Sequence, residues 1–123
     1  MVAKKKDDVE IPRLEPTKIM GSSFLSNVII VDHYRYRIKD IVEAAYTNSK
    51  MEIGYWNALP WAIRDDIIGA QIYLMRMRYE AKEPITWVEA VKSRVRNPQI
   101  ANRLKSNFVQ AQANIVVYPR RVD

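Results

Sequence analysis

His33 stands beside Asp32, and two further carboxylates, Asp65 and Asp66, are adjacent. An Asp–His pair could in principle supply a general base. Neighbouring residues on a helix point about 100° apart, so Asp32 would not orient the imidazole. No nucleophile stands at a spacing that would complete a catalytic set. His33 therefore reads as a structural or surface side chain. Adjacent carboxylates could touch a metal, but near a helix start they more often answer the helix dipole. A single His and no Cys exclude a His-rich metal site, Cys-ligated zinc, a thiol nucleophile and a disulfide scaffold. Gly21, Gly54 and Gly69 are isolated, so there is no glycine-rich phosphate loop. Trp56, Trp61 and Trp87 could stack on bases, yet their apolar neighbours favour core or subunit contacts. No catalytic residues, no metal, no cofactor and no small-molecule substrate are expected.

What remains is charge. The 123 residues carry 20 Lys plus Arg against 14 Asp plus Glu, a net charge of +6. Basic and acidic side chains balance through residue 89. The excess lies in residues 90–123, where Lys92, Arg94, Arg96, Arg103, Lys105, Arg120 and Arg121 face Asp123 alone. A basic stretch without internal counter-charge needs an external anion or repels itself. Nucleic acid is the commonest such partner, because each neutralised phosphate releases a condensed counterion. The bland reading is a solvated basic surface with a basic tail.

These side chains must be held by elements that the patterning predicts. Residues 1–21 lack any period of 3.6 or 2 and contain Pro12 and Pro16, so an extended N-terminal arm is expected. The arm's lysine cluster is not followed by the apolar run of a secretory leader, and the apolar runs are too short for a transmembrane helix. A cytosolic or intravirion protein is the default. Residues 22–123 read as one helical domain with a short extended C-terminal tail. Phe24, Val28, Val31, Tyr34, Ile38, Ile41 and Ala45 follow helical steps after a Ser22 or Ser23 cap. The rival is a strand over Val28 to Ile38, where VIIV and YRYRI suit a β period; the 3/4 spacing, continuing to Ala45 without a turn signal, favours the helix. Thr47-Asn48 reads as a linker, and Ser49 with Glu52 as a capping box opening a short turn to Gly54. The strongest segment is a helix from about Ala58 to Ala81, with Pro60 in its first turn. Its apolar face is wide enough to be central in a bundle or to bury one stripe against another subunit. After Pro84, Thr86 and Glu89 form a second capping box, opening a helix through about Val95. Asn97-Pro98 starts the last helix, whose apolar face is Ile100, Leu104, Phe108, Ala111 and Ile115. Lys92 and Arg96, as i,i+4 neighbours, share a face, whereas Arg103 and Lys105 diverge. The stretch from Ile115 to Asp123 is extended. The expected fold class is all-α, a bundle of about four helices.

Two short stretches carry a family resemblance. Ser23-Phe24-Leu25-Ser26-Asn27-Val28 resembles the segment after the arm in the major capsid proteins of filamentous archaeal viruses of the rudivirus and lipothrixvirus type. Asn97-Pro98-Gln99-Ile100 resembles the start of their last helix. The matches cover about ten residues. The resemblance implies a structural protein of the virion, present in host cytoplasm during assembly. It further implies pairing with itself or with a paralogous capsid subunit around double-stranded DNA held in A-form, with the arm and first helix wrapping the duplex. On that basis the nucleic-acid contacts are expected from Lys4, Lys5, Lys6, Arg13 and Lys18 in the arm. Arg35, Arg37 and Lys39 follow on the first helix, then Arg76 and Arg78, with Lys92, Arg96 and Arg103 from the basic C-terminal third. The scattered cations independently suit sequence-blind phosphate contact. One tension stands out: the charge excess is C-terminal, while the resemblance favours the arm and first helix. Arg94, Arg96, Arg103 and Lys105 could instead meet a neighbouring subunit or the lipid of an anionic envelope. The alternatives are a small helical DNA-binding regulator, which needs a recognition helix, and a helical adaptor or assembly protein with an acidic partner.

Overall fold

The computed structural model describes residues 27–112 and 115–122. The expected arm, its cations Lys4, Lys5, Lys6, Arg13 and Lys18, and the Ser22/Ser23 cap lie outside the described residues.

The first described segment departs from expectation. Val28–Val31 and Tyr34–Arg37 are strands β1 and β2, paired antiparallel with Val31 opposite Tyr34 and Val28 opposite Arg37. Between them Asp32 and His33 both take positive φ, 51° and 69°. Two positive-φ residues in a two-residue loop give a turn whose twist matches that of the strands it joins. Asp tolerates this region through local hydrogen bonding. The turn is pinned from outside: the Asp32 N–H donates to Glu80 Oε2 at 2.9 Å, an oxygen that also receives Arg76 Nη1 at 2.9 Å. Alternation then sorts the side chains. Ile29, Val31 and Tyr36 are buried, while Ile30, Arg35 and Arg37 are exposed on the other face.

The first helix, α1 (Ile38–Ser49), follows β2 directly. It includes Thr47 and Asn48, so the expected linker there is helical, and Asn48 and Ser49 are fully buried. Lys50 ends the helix in the left-handed region at φ 56°. The Ser49–Glu52 capping box does not form. The Ser49 hydroxyl donates to the Tyr46 carbonyl at 2.6 Å and accepts from the Met51 N–H at 3.2 Å. A short helix α2 (Ile53–Ala58) follows, with no side-chain cap.

Helix α3 (Trp61–Tyr79) is the centre of the body, with Pro60 as its N-cap. Ile67, Ile68, Ala70, Ile72, Leu74 and Met75 are all at most 3% exposed. They pack against α1, β1 and the next helix, α4 (Trp87–Arg94). The apolar stripe is therefore covered within the chain from Ile67 to Met75, while Trp61 at its start is exposed. The Thr86–Glu89 capping box forms in both directions, at 3.1 and 2.7 Å. Helix α5 (Pro98–Gln110) starts as expected, with the Asn97 side chain accepting from the N–H groups of Gln99 and Ile100. It ends earlier than the apolar spacing suggests: Ile100 and Leu104 are buried, Phe108 is half-buried, and Ile115 lies beyond the helix, 79% exposed.

Arg121–Val122 forms β3, which pairs antiparallel with β2. The described chain is thus mostly helical but not all-α, because a three-stranded antiparallel sheet in the order β1-β2-β3 stands beside five helices. The reason is local. β-branched VIIV and the alternating YRYR suit a pleated, half-buried surface, and the Asp32–His33 turn closes the pair without a glycine.

Candidate nucleic-acid interface

The candidate surface is assembled by the C-terminal strap, residues 115–122. Its anchor is the side chain of Asn48, which imitates a neighbouring strand. Asn48 Nδ2 donates to the Val117 carbonyl at 3.0 Å, and the Val117 N–H donates back to Oδ1 at 2.9 Å. The same Nδ2 donates to Gln71 Oε1 at 2.7 Å, and neither amide side chain is exposed to solvent. Further along, the Tyr118 hydroxyl accepts from Arg78 Nη1 at 3.1 Å, and its ring lies 5.7 Å from that of Tyr79. Burial and the neighbouring Tyr118 and Tyr36 phenols raise the pKa of Tyr79 above 10.0. Arg121 is opposite Tyr36 in the sheet, and its guanidinium lies 3.8 Å from the centre of the Tyr34 ring. Val117 thus sits at the C-terminal end of α1 and Arg121 beside the strand that precedes it. The strap runs antiparallel to α1 along its length.

Between helix and strap lies a groove of about 420 Å³. Arg37, Lys39, Asp40, Glu43 and Thr47 line one side, and Tyr118, Arg120 and Arg121 line the other. Around its N-terminal end stand four exposed cations: Arg37, Lys39 and Arg120 in the groove, and Arg35 on the outer sheet face. Among the described residues none of the four has an ion-pair partner. The two carboxylates of the lining, Asp40 and Glu43, are outnumbered. Mutual repulsion of such charges is relieved by an anion seated among them. β2–β3 pairing brings Arg120 and Arg121, two of the seven C-terminal cations, beside the strand that leads into the first helix.

Of the cations expected at nucleic acid, Arg35, Arg37 and Lys39 converge here, though Arg35 and Arg37 come from a strand and not from the first helix. Arg78 joins the edge of the cluster through Tyr118. Arg76 is engaged elsewhere, in its ion pair with Glu80. Arg96 does not share a helical face with Lys92, because α4 ends at Arg94. Its guanidinium instead forks onto Asp66, with Nη2–Oδ1 at 3.1 Å and Nε–Oδ2 at 3.3 Å, and its backbone N–H adds a third bond. Those bonds hold Arg96 protonated more firmly than a free guanidinium. Asp66 accordingly serves as a cation's partner in the interior of α3, not as a dipole charge in its first turn. Lys92 is exposed on α4. Arg103 lies on α5, over the Tyr55 ring.

The charge arithmetic flagged Arg120 and Arg121 as part of an acid-free tail, but nothing local to them showed which element they would join. Tyr34 and Tyr118, which hold Arg121 and Arg78, gave no separate signal. His33 is an exposed turn residue. Trp56 and Trp87 are core residues, while Trp61 is 39% exposed beneath the Arg64 guanidinium. Among the described residues no helix is long and apolar enough to cross a membrane. No family model, curated protein or solved structure matches the chain.

Proposed function

We propose that this chain is a nucleocapsid protein of a filamentous virus, a structural and non-catalytic subunit that coats double-stranded DNA through sequence-independent backbone contacts. In this reading it pairs with itself or with a paralogous subunit, polymerises along the duplex in host cytoplasm, and resides in the virion with its helical body as the shell. The observation that carries the reading is the cluster of Arg35, Arg37, Lys39 and Arg120, exposed, unpaired among the described residues and outnumbering the Asp40 and Glu43 carboxylates, on a sheet face and adjoining groove. Forked guanidinium groups and a lysine suit phosphate oxygens. The outer-face neighbours of Arg35 and Arg37 are Val28, Ile30 and Val122, which offer no hydrogen bonds to base edges.

The test is a titration of the purified full chain with random-sequence duplex at low salt, followed by electron microscopy. Salt-sensitive binding without sequence preference, accompanied by filaments, is expected. A chain that stays monomeric and shifts no duplex at low salt overturns the proposal. A regulator draws support from one feature: Arg35 and Arg37 stand two residues apart on an antiparallel ribbon, an element that can enter a major groove. Strong preference for one sequence over random competitor would select that alternative.

A further inference from the structure

The far end of α1 carries a second opening, a pocket of about 290 Å³ lined by Lys50, Met51, Glu52, Tyr55, Arg103 and Asn107. We infer that Lys50 and Arg103 form a second phosphate seat there, so that one nucleic-acid backbone spans α1 from the Arg37–Lys39–Arg120 cluster to this pocket. The inference rests on the nucleic-acid reading above and adds to it a site and a footprint.

Arg103 is held in a particular way. Its guanidinium lies 4.3 Å from the centre of the Tyr55 ring. A cation–π contact of this kind holds the group over the ring without using up its N–H donors, which remain available to phosphate oxygens. Tyr55 is therefore a positioning residue. Asn107, one turn further along α5, donates from Nδ2 to the Ser49 carbonyl at 3.2 Å. That bond ties α5 to the last turn of α1, and Arg103 and Lys50 line the same pocket. Neither Lys50 nor Arg103 has an ion-pair partner among the described residues, and Glu52 is the one carboxylate in the lining.

The spacing fits a continuous backbone. The 12 residues of α1 span about 18 Å at about 1.5 Å per residue. That is about five nucleotide steps at about 3.4 Å of duplex axis per strand. Lys39, Glu43 and Thr47 fall on one stripe of the helix and all line the first groove, and Lys50 follows directly after its last turn, so the path offers cations at its two ends and the Glu43 carboxylate between them. Lys50 has a competing structural role, since a cation at a helix C-terminus answers the dipole. That role would alter stability and leave counterion release untouched.

The experiment is therefore the slope of log K against log salt for random-sequence duplex, with the full chain and its K39Q, K50Q, R103Q, Y55L and R103Q/Y55L variants, each checked for native circular dichroism. Each lost phosphate contact lowers the magnitude of the slope by about 0.9. K50Q and R103Q are each expected to lower it by about that amount. Y55L is expected to lower it part of the way, and the double variant no further than R103Q. If K39Q lowers the slope while K50Q and R103Q keep the parental value, the second seat is refuted and the DNA reading stands. If the parent binds no duplex, both fall together. If R103Q keeps the parental slope on DNA but loses binding to phosphatidylglycerol vesicles, the pocket faces lipid and the inference is overturned.

Discussion

Asn48 shows how much one side chain can determine. It is fully buried on the last turn of α1, and its amide closes a two-way pairing with Val117, 69 positions away, while also bonding Gln71. Removing it strands the Val117 N–H and carbonyl and leaves the buried Gln71 without its partner. Each lost bond contributes about 1 kcal/mol, and stranded buried groups add to that. Asn48→Ala is expected to lower stability by about 3 kcal/mol in urea titration, and to speed hydrogen exchange at Val117 well before exchange in α3. Tyr79 gives a pH-dependent counterpart. Its phenol has a raised pKa in the folded chain, so the folded state holds this proton more tightly than the unfolded chain does. Its contribution is fully present below about pH 10 and is lost as the pH rises beyond it. The urea midpoint of Tyr79→Phe should therefore fall less than that of the parent between pH 9 and 11. An equal fall in both proteins would place the alkaline sensitivity elsewhere.

At the scale of elements, legibility follows how local the determining interactions are. The starts of α4 and α5 were readable because each is set by contacts within four residues, Thr86 with Glu89 and Asn97 with Gln99 and Ile100. Thr86→Ala should cost about 1 kcal/mol, seen as a lower urea midpoint with an unchanged m-value. The β1–β2 hairpin was misread because its apolar residues satisfy helical steps as well as strand alternation, and because Asp32-His33 does not advertise a turn as Asn-Gly would. Glu80, 48 positions away, then pins the turn that the local residues close, its carboxylate receiving the Asp32 N–H. The hairpin therefore carries two side-chain-bearing residues in the left-handed region. For His33, at φ 69°, this costs about 1–2 kcal/mol, partly offset in a glycine variant by the greater freedom of its unfolded chain. His33→Gly is expected to raise stability by about 0.5–1 kcal/mol in the same assay. A loss of stability would mean that the His33 side chain contributes something the backbone geometry does not reveal.

For the whole molecule, composition counts charges but does not say which are free. The sequence located an excess in the last third of the chain. It could not show that a strap would carry Arg120 and Arg121 back to Arg35, Arg37 and Lys39, because that return depends on the buried Asn48 amide and on strand pairing across more than 80 positions. Nor could it show which cations the fold consumes. Arg76 and Arg96 are candidates along with Arg37 on sequence grounds, yet Arg76 is paired with Glu80 and Arg96 is forked onto Asp66. A guanidinium already bonded to a carboxylate has less to gain from a phosphate, since seating one means giving up or sharing its partner. If the molecule binds duplex DNA as proposed, Arg37→Gln should lower the salt slope by about 0.9, whereas Arg76→Gln and Arg96→Gln should leave it within error of the parent. The Arg96 side chain is 72% exposed but that of Asp66 only 14%, so Arg96→Gln, which leaves a mostly buried carboxylate with one backbone N–H, should also cost about 1–2 kcal/mol in stability. Equal slope losses at all three positions would mean that the internal pairs open on binding, and that the basic surface is larger than the one the folded chain presents.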